Sequence, residues 1–349
     1  MTYRRTQTLV SYWDQGRLVV ENYVTRRRAP ASPLVVSLLD AAASWRTERV
    51  LTRALGPGLE SQGRRLLLAL ERATLLERRH GPSAPSLASW GNWLPHAGLL
   101  HFGTKDERYP SPRAAAREFR AWAGTVPAPA PTKSYPGAAR RLLPPPLSVE
   151  RPLSDTLDAR RTWRRFSRAP LTIPHLSTLL GLTWGVRRWA RDEFGNRVAL
   201  KNAPSGGAMH PVEVYVAAFN VTGLGRGLYH YDAARHALTR VRRAGAAFDA
   251  ARYLPQQPWY RGAAALFLMT AVVARERWKY PSARAYRALL VDAGHLTQTC
   301  CLVATALGLG PFCSMALDDS RIEQDLGIDG VSEVALYAAG CGTRPTLRT

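Results

Sequence analysis

Three short stretches carry residue types that could do chemistry. In Asn202-Ala203-Pro204-Ser205-Gly206-Gly207-Ala208-Met209-His210-Pro211, two prolines bracket a Ser-Gly-Gly turn that enters an alternating run, Val212-Glu213-Val214-Tyr215-Val216. Such a backbone bends sharply and presents N–H groups with no Cβ in the way, so a flat polar ligand can lie against main chain there. A plain turn is the competing reading. In Arg160-Arg161-Thr162-Trp163-Arg164-Arg165-Phe166, guanidinium groups interleaved with a hydroxyl suit a phosphate. The third signal is scarcity: the 48 Lys and Arg residues include only four lysines, Lys105, Lys133, Lys201 and Lys279. In so arginine-rich a chain, a lysine hints at a need for an amine that can lose its proton, which guanidinium cannot.

The totals bound the rest. A globular composition and 349 residues leave room for two or three domains with a sizeable core. No apolar run approaches membrane-spanning length, and Met1-Thr2-Tyr3-Arg4-Arg5-Thr6-Gln7 leads into no signal-like block, so a cytoplasmic protein is expected. Cys300, Cys301, Cys313 and Cys341 lack metal-type spacing and read as reduced core residues; no metal is expected. The net charge of +22 favours any polyanion, including an acidic peptide or a phosphorylated cofactor. The arginines are spread along the whole chain, so nucleic-acid binding is not expected as the main role.

The elements that must position these residues fall into three regions. Residues 1–25 alternate loosely and suggest short strands; helices follow over 33–43, 48–55 and 59–76, the last with leucines at helical spacing. Three short helices with flanking strands form the winged-helix pattern, which serves either DNA binding or a peptide clamp in which a guest strand adds to the sheet edge beside the third helix. The aromatic-rich stretch from Trp90 to Asp106 reads as a packed connector or part of a substrate channel. A helix over 111–123 precedes seven prolines between residues 127 and 146, which read as a linker on which no core can be built. Further on come a helix over 174–185, a hairpin from 227–232 and 237–241, and a strand over 263–273 buried on both faces. A long helix over 286–308 carries Leu289, Ala293, Leu296, Cys300, Val303 and Leu307 at steps of three and four, with Gly308 as its stop. Its small residues Ala293, Gly294 and Ala304 permit close approach of another helix or a flavin-sized ring. A final strand runs over 333–338.

Five motifs, RRTWRRF (160–166), NAPSGGAMHPVEVYV (202–216), GLYHYD (227–232), WKYPSARAYRALLVDAGH (278–295) and LGLGPFC (307–313), stand in the order found in the nitroreductase-like flavoprotein superfamily. Within it the chain most resembles the SagB-type dehydrogenases, the azoline oxidases of ribosomal peptide natural-product clusters. That resemblance implies an α+β fold, a mostly antiparallel sheet flanked by helices, in an intertwined homodimer with FMN at the subunit interface. It implies that Arg160, Arg161, Thr162, Arg164 and Arg344 hold the FMN phosphate, ribityl chain or pyrimidine edge. It places Pro204, Ser205, Gly206 and Gly207 against the isoalloxazine from the partner subunit, the Ser314-Met315 backbone near flavin N5, and Gln298 in a further contact. Lys279-Tyr280 matches the Lys-Tyr pair that sets azoline oxidases apart from ordinary nitroreductases.

Chemistry supplies a reason for that pair. Aromatising an azoline removes a proton from the α-carbon and a hydride from the β-carbon, so a base must face the flavin. A desolvated Lys279 near another cation, with Arg277 the candidate, would be such a base, and Tyr280 would relay the proton or hold the ring. The expected organisation is a winged-helix-like peptide-clamp domain over 1–90, a connector with its Pro-rich linker over 91–150, and an FMN-binding catalytic domain over 151–349. The expected function is oxidation of thiazoline or oxazoline rings in a modified precursor peptide, with a cyclodehydratase as a further partner. Two other readings stand beside it: an NAD(P)H-dependent reductase of nitro or quinone compounds on the same fold, and a non-catalytic basic scaffold or nucleic-acid binder.

Overall fold

The computed structural model describes residues 1–81, 87–192, 194–245 and 248–345. The chain divides into two compact units, Met1–Arg108 and Tyr109–Thr349, so residues 91–108 of the expected connector fold with the first and residues 109–150 with the second.

The first unit sets β1 (Thr2–Arg5) between two short strands, β5 (Arg46–Thr47) and β6 (Leu76–Arg78), while β2 (Leu9–Asp14), β3 (Arg17–Asn22) and β4 (Arg27–Pro30) form a second antiparallel sheet. Helices α1 (Pro33–Ala41), α2 (Glu48–Arg53) and α3 (Glu60–Arg72) complete this small domain of sheets and helices, and α4 (His96–Gly103) ends the unit. Ser32 starts α1 by accepting from the Val35 N–H, with Pro33 at the first helical position where a missing N–H costs nothing. Tyr3, Leu38, Leu51, Leu67, Leu70 and Leu75 form its core, drawn from the sheet and all three helices.

The second unit is built on a seven-stranded antiparallel sheet in the order β14-β15-β13-β10-β11-β12-β7, with β7 Arg140–Leu142, β10 Val212–Ala218, β11 Gly227–Asp232, β12 Ala237–Arg243, β13 Ala265–Val272, β14 Leu309–Ser314 and β15 Glu333–Thr343. A small hairpin, β8 (Arg188–Arg191) with β9 (Arg197–Leu200), stands apart from it. The helices are α5 (Pro112–Thr125), α6 (Leu153–Ala159), α7 (Ile173–Thr183), α8 (Val273–Lys279), α9 (Tyr286–Ala306) and α10 (Asp319–Leu326). Strand periodicity decides which side chain enters which layer. Val212, Val214 and Val216 with Phe267 and Met269 pack in one core with Leu176, Leu179, Leu289 and Ala293 of α7 and α9. The alternate residues Tyr215, Ala217, Leu266 and Leu268 pack in another with Tyr253, Ile322 and Leu326. The sheet is therefore covered on both faces, and β10 and β13 are apolar with little alternation.

The Pro-rich stretch is not a free linker. Lys133 places its Nζ 2.6 Å from Glu333 of β15 and donates to the Tyr215 hydroxyl at 2.7 Å, while its N–H donates to Glu213 of β10. Residues 140–142 then pair with β12 as an edge strand. Among the described residues, no helix is long and apolar enough to cross a membrane.

Candidate functional site

The Ser-Gly-Gly turn and the Lys-Tyr pair meet. The turn lies between β9 and β10 and holds Gly207, Ala208 and His210 at positive φ, a conformation that glycine adopts without strain and side chains resist. It is tied from inside, the His210 N–H donating to Ser205 Oγ at 2.9 Å. Its outer surface faces α8, which β13 feeds directly. A Cβ on Gly207 would stand 2.7 Å from both Lys279 Cδ and the Tyr280 hydroxyl, and one on Gly206 would stand 2.9 Å from Glu276 Oε1. At both glycines, then, side chains of α8 and Tyr280 come up close to the turn. Pro204 is exposed, and its carbonyl lies 3.3 Å from His295 Nδ1 of α9.

The electrostatics of this corner are dominated by buried carboxyls that the sequence alone did not single out. Glu276 of α8 and Asp292 of α9 are both buried, and Glu276 Oε2 and Asp292 Oδ2 have no hydrogen-bond partner among the described residues. Burial and the Asp292 charge push the Glu276 carboxyl up to about 7, against the pull of Lys279. Burial likewise raises Asp292, opposed by hydrogen bonds from the Ser205 hydroxyl and the Gly206 N–H and by the charges of His295 and Lys201. Burial raises the Tyr280 hydroxyl as well, with Glu276 adding to it. Lys279 itself is half-buried, while Arg277, the cation expected beside it, is exposed. Behind the turn, burial lowers Lys201 to about 8. Next to it, Arg275 is paired with Glu213 at 2.6 Å. A sequence signal for Asp292 existed: an acid standing between Leu289 and Leu296 on the apolar stripe of a helix.

The arginine motif forms a second cluster at the far end of α9. The segment after α6 runs along the sheet edge, the Trp163 N–H donating to the Pro311 carbonyl and the Ser167 N–H to Thr343. Trp163 lies on Gly310, where a Cβ would stand 2.9 Å from its ring, and the Arg344 guanidinium stacks over that ring at 4.9 Å. Arg344 Nε donates to the Leu309 carbonyl, and Arg344 Nη2 and Trp163 Nε1 are buried donors with no partner among the described residues. Burial, with Arg151 nearby, lowers Arg344. Arg160 is half-buried; Arg161, Thr162 and Arg164 are exposed, and Arg161 donates to the Asp158 and Arg160 carbonyls. The Cys313 thiol is pulled down by hydrogen bonds from the Cys301 thiol and the Tyr337 hydroxyl, with Arg160 adding to it. At the end of β14, buried Ser314 accepts from Gln257 at 2.5 Å, whereas Met315 is exposed. Gln298 is exposed on α9, on the same face as Val291 and Gly294.

The two clusters have complementary chemistry. One offers unpaired donors and positive charge, the other a Cβ-free turn backed by a lysine, a tyrosine and two carboxyls. Comparison with known proteins assigns the chain to a family. The model of the nitroreductase family matches residues 157–343, more than half of the chain. MJ1384 of Methanocaldococcus jannaschii, named for a nitroreductase, is 32% identical over 176 residues, which is 50% of this chain and 84% of that protein. The trifolitoxin-processing protein TfxB of Rhizobium leguminosarum bv. trifolii is 31% identical over 143 residues, 40% of this chain and 38% of TfxB. A crystal structure of a protein from Anabaena variabilis, also titled a nitroreductase, superposes with a TM-score of 0.50 at 25% identity, covering 61% of this chain and 44% of that one. The chain thus spans less than half the length of the latter two. On the family match and the likeness to MJ1384, the chain belongs to the nitroreductase family.

Proposed function

We propose that this protein is an FMN-dependent dehydrogenase that oxidises thiazoline or oxazoline rings to thiazoles or oxazoles in a ribosomally synthesised, modified precursor peptide. The observation that carries the reading is the close approach of the Lys279 and Tyr280 side chains to Gly207, an amine-bearing chain and a phenol beside the Ser-Gly-Gly turn. Similarity to a trifolitoxin-processing protein supports a peptide substrate. The residues present fit the cofactor: Arg344 and Trp163 keep buried donors that no described residue uses. Arg160, Arg161, Thr162, Arg164 and Arg344 would hold its phosphate, ribityl chain or pyrimidine edge. Pro204, Ser205, Gly206 and Gly207 would meet its ring, with Gln298, Ser314 and Met315 completing the contacts. Bound there, FMN supplies the two-electron acceptor for the hydride. Lys279 takes the proton from the α-carbon, and Tyr280 orients the azoline or relays that proton.

The exposed stripe of α9, with Leu290, Val291, Gly294 and Gln298, suits a second copy of the chain, and a homodimer is part of this reading. The first unit would serve as the clamp for the peptide leader or a cyclodehydratase partner, with the enzyme acting in the cytoplasm.

The name of MJ1384 favours a second reading, a nicotinamide-dependent reductase. An anaerobic visible spectrum separates the two. A flavin spectrum that NADPH leaves unbleached supports the dehydrogenase, and rapid bleaching supports the reductase. Lys279→Ala is expected to keep FMN and to lose azoline oxidation; unchanged oxidation would remove Lys279 from the mechanism.

A further inference from the structure

Lys279 is the last residue of a short helix that does not satisfy its own end. Beyond it Tyr280 has left the helix, at φ −127° and ψ 90°, and Pro281 carries no N–H, so the last carbonyls of α8 need donors from elsewhere in the chain. Helix α5 supplies one: Trp122 Nε1 donates at 3.1 Å to the Trp278 carbonyl, whose peptide bond leads into Lys279. The converse bond is also made. Val126 ends α5, Pro127 after it has no N–H, and Trp278 Nε1 donates to the Val126 carbonyl at 2.9 Å. Phe119, three residues before Trp122 and so on the same face of α5, meets the Trp278 ring edge to face at 4.9 Å and the Phe194 ring at 4.4 Å. Trp278 is 5% exposed, Trp122 38%. Near the start of α8, Arg275 Nε donates to the Ala130 carbonyl at 2.8 Å and Arg275 Nη1 to the His210 carbonyl of the turn at 3.2 Å. Residues 119–130 therefore hold α8 near both ends.

We propose that Trp122 is a positioning residue for Lys279: by donating to the Trp278 carbonyl it fixes the end of α8, and with it the lysine side chain beside Gly207. The inference rests on the reading of Lys279 as the base. A base must lie within hydrogen-bond reach of the proton it takes, and a misplacement of about 1 Å can cost about a hundredfold in rate. The close approach of Lys279 Cδ to Gly207 leaves little room on the turn side, so an end of α8 released from its donor carries the lysine away from the turn. Trp122 acts through the backbone of α8, 156 residues further along the chain. A tryptophan that merely stapled α5 to α8 would alter stability and leave both the place of Lys279 and the reaction alone.

Trp122→Phe keeps a ring and removes the donor. Holoprotein carrying it should retain its FMN and its KM for an azoline peptide, while kcat falls about tenfold. Position is read without turnover. The chain has only four lysines, so carbon-13 lysine labelling gives a Lys279 signal assigned by its absence in Lys279→Arg, and its cross-relaxation with the Gly207 α-protons reports their separation. That cross-peak is expected in the parent and weakens in Trp122→Phe. Phe119→Leu, which removes the ring packed on Trp278, is expected to act in the same direction and carries the test should the first variant not fold. A cross-peak unmoved in both variants overturns the positioning role, even if the thermal midpoint falls. With Lys279→Ala inactive, a parent kcat in a variant whose cross-peak has weakened overturns it too. A weakened cross-peak alongside a Lys279→Ala enzyme that still oxidises azolines would keep the positioning and remove the base reading. An unmoved cross-peak alongside an inactive Lys279→Ala would do the reverse.

Discussion

A glutamate held protonated by burial must leave a mark on the stability of the fold. Glu276 ionises near its usual 4.5 when unfolded and near 7 when folded. Below the first value the group is protonated in both states and stability is unaffected. Between the two, the unfolded chain releases the proton while the folded one keeps it, so stability is lost as pH rises through that window and stays lost above it. The linkage amounts to about 3 kcal/mol. Glu276→Gln cannot titrate, so its unfolding free energy relative to the parent should rise by about that amount between pH 4 and pH 8 in paired urea titrations. A gap that stays constant with pH would mean Glu276 is an ordinary carboxylate. Gly207→Ala probes the same corner sterically: the new methyl meets Lys279 Cδ and the Tyr280 hydroxyl at a residue with φ of +54°. Azoline oxidation should fall at least tenfold, with about 1–2 kcal/mol lost from stability. At this scale the sequence was partly legible. Residue types marked the turn, the arginines and the lysine, and helical spacing puts Glu276 on the Lys279 face of α8, but that Asp292 joins them depends on α8 and α9 meeting, which no local pattern encodes.

Elements were most legible where one period ran long enough to be unambiguous. The helix pattern from Leu289 to Leu307 corresponds to α9, and the apolar runs correspond to β10 and β13. The expected linker folded instead as a strap, because what holds it is a set of contacts made across the chain. Lys133 reaches Glu333 and Tyr215, and Arg275 Nε donates to the Ala130 carbonyl at 2.8 Å. Seven prolines leave room for no regular element longer than the three residues of β7, yet leave side chains free to make ion pairs. β14 was hidden for a related reason: Gly310-Pro311 reads as a turn, whereas an edge strand tolerates a residue that lacks an N–H. The strap carries its own prediction. Lys133→Met strips the ammonium from Glu333, a carboxylate 7% exposed that keeps, among the described residues, only the hydroxyls of Tyr215 and Thr270 as donors. Loss of about 2–4 kcal/mol is expected in chemical denaturation at neutral pH. An unchanged midpoint would return the segment to the status of a linker.

At the scale of the whole molecule, the two chemical clusters are set apart by α9. Asp292 and His295 belong to the turn cluster, and Cys301 lies beside the Cys313 and Arg160 side chains of the other. Nine residues of helix separate Asp292 from Cys301, about 14 Å along the axis. Between them α9 presents Gly294, with open space where its Cβ would stand, flanked by Leu290 and Val291, 39% and 52% exposed. Large apolar side chains beside a glycine on the exposed face of a long helix are poorly suited to water and well suited to a close helix partner. If a second copy covers this face, each chain's donors can face the other chain's turn, and the site is complete only in the dimer. Val291→Arg tests that directly. The side chain is exposed within the protomer, so the fold should persist with a thermal midpoint close to that of the isolated parent protomer. Light scattering at micromolar concentration should report half the parent mass, and FMN should be lost on gel filtration that the parent survives. A variant with parent mass and full FMN content would show that α9 faces solvent and that one chain suffices. A monomeric variant that keeps FMN would separate the two claims, leaving the dimer in place and moving the cofactor onto residues of a single protomer.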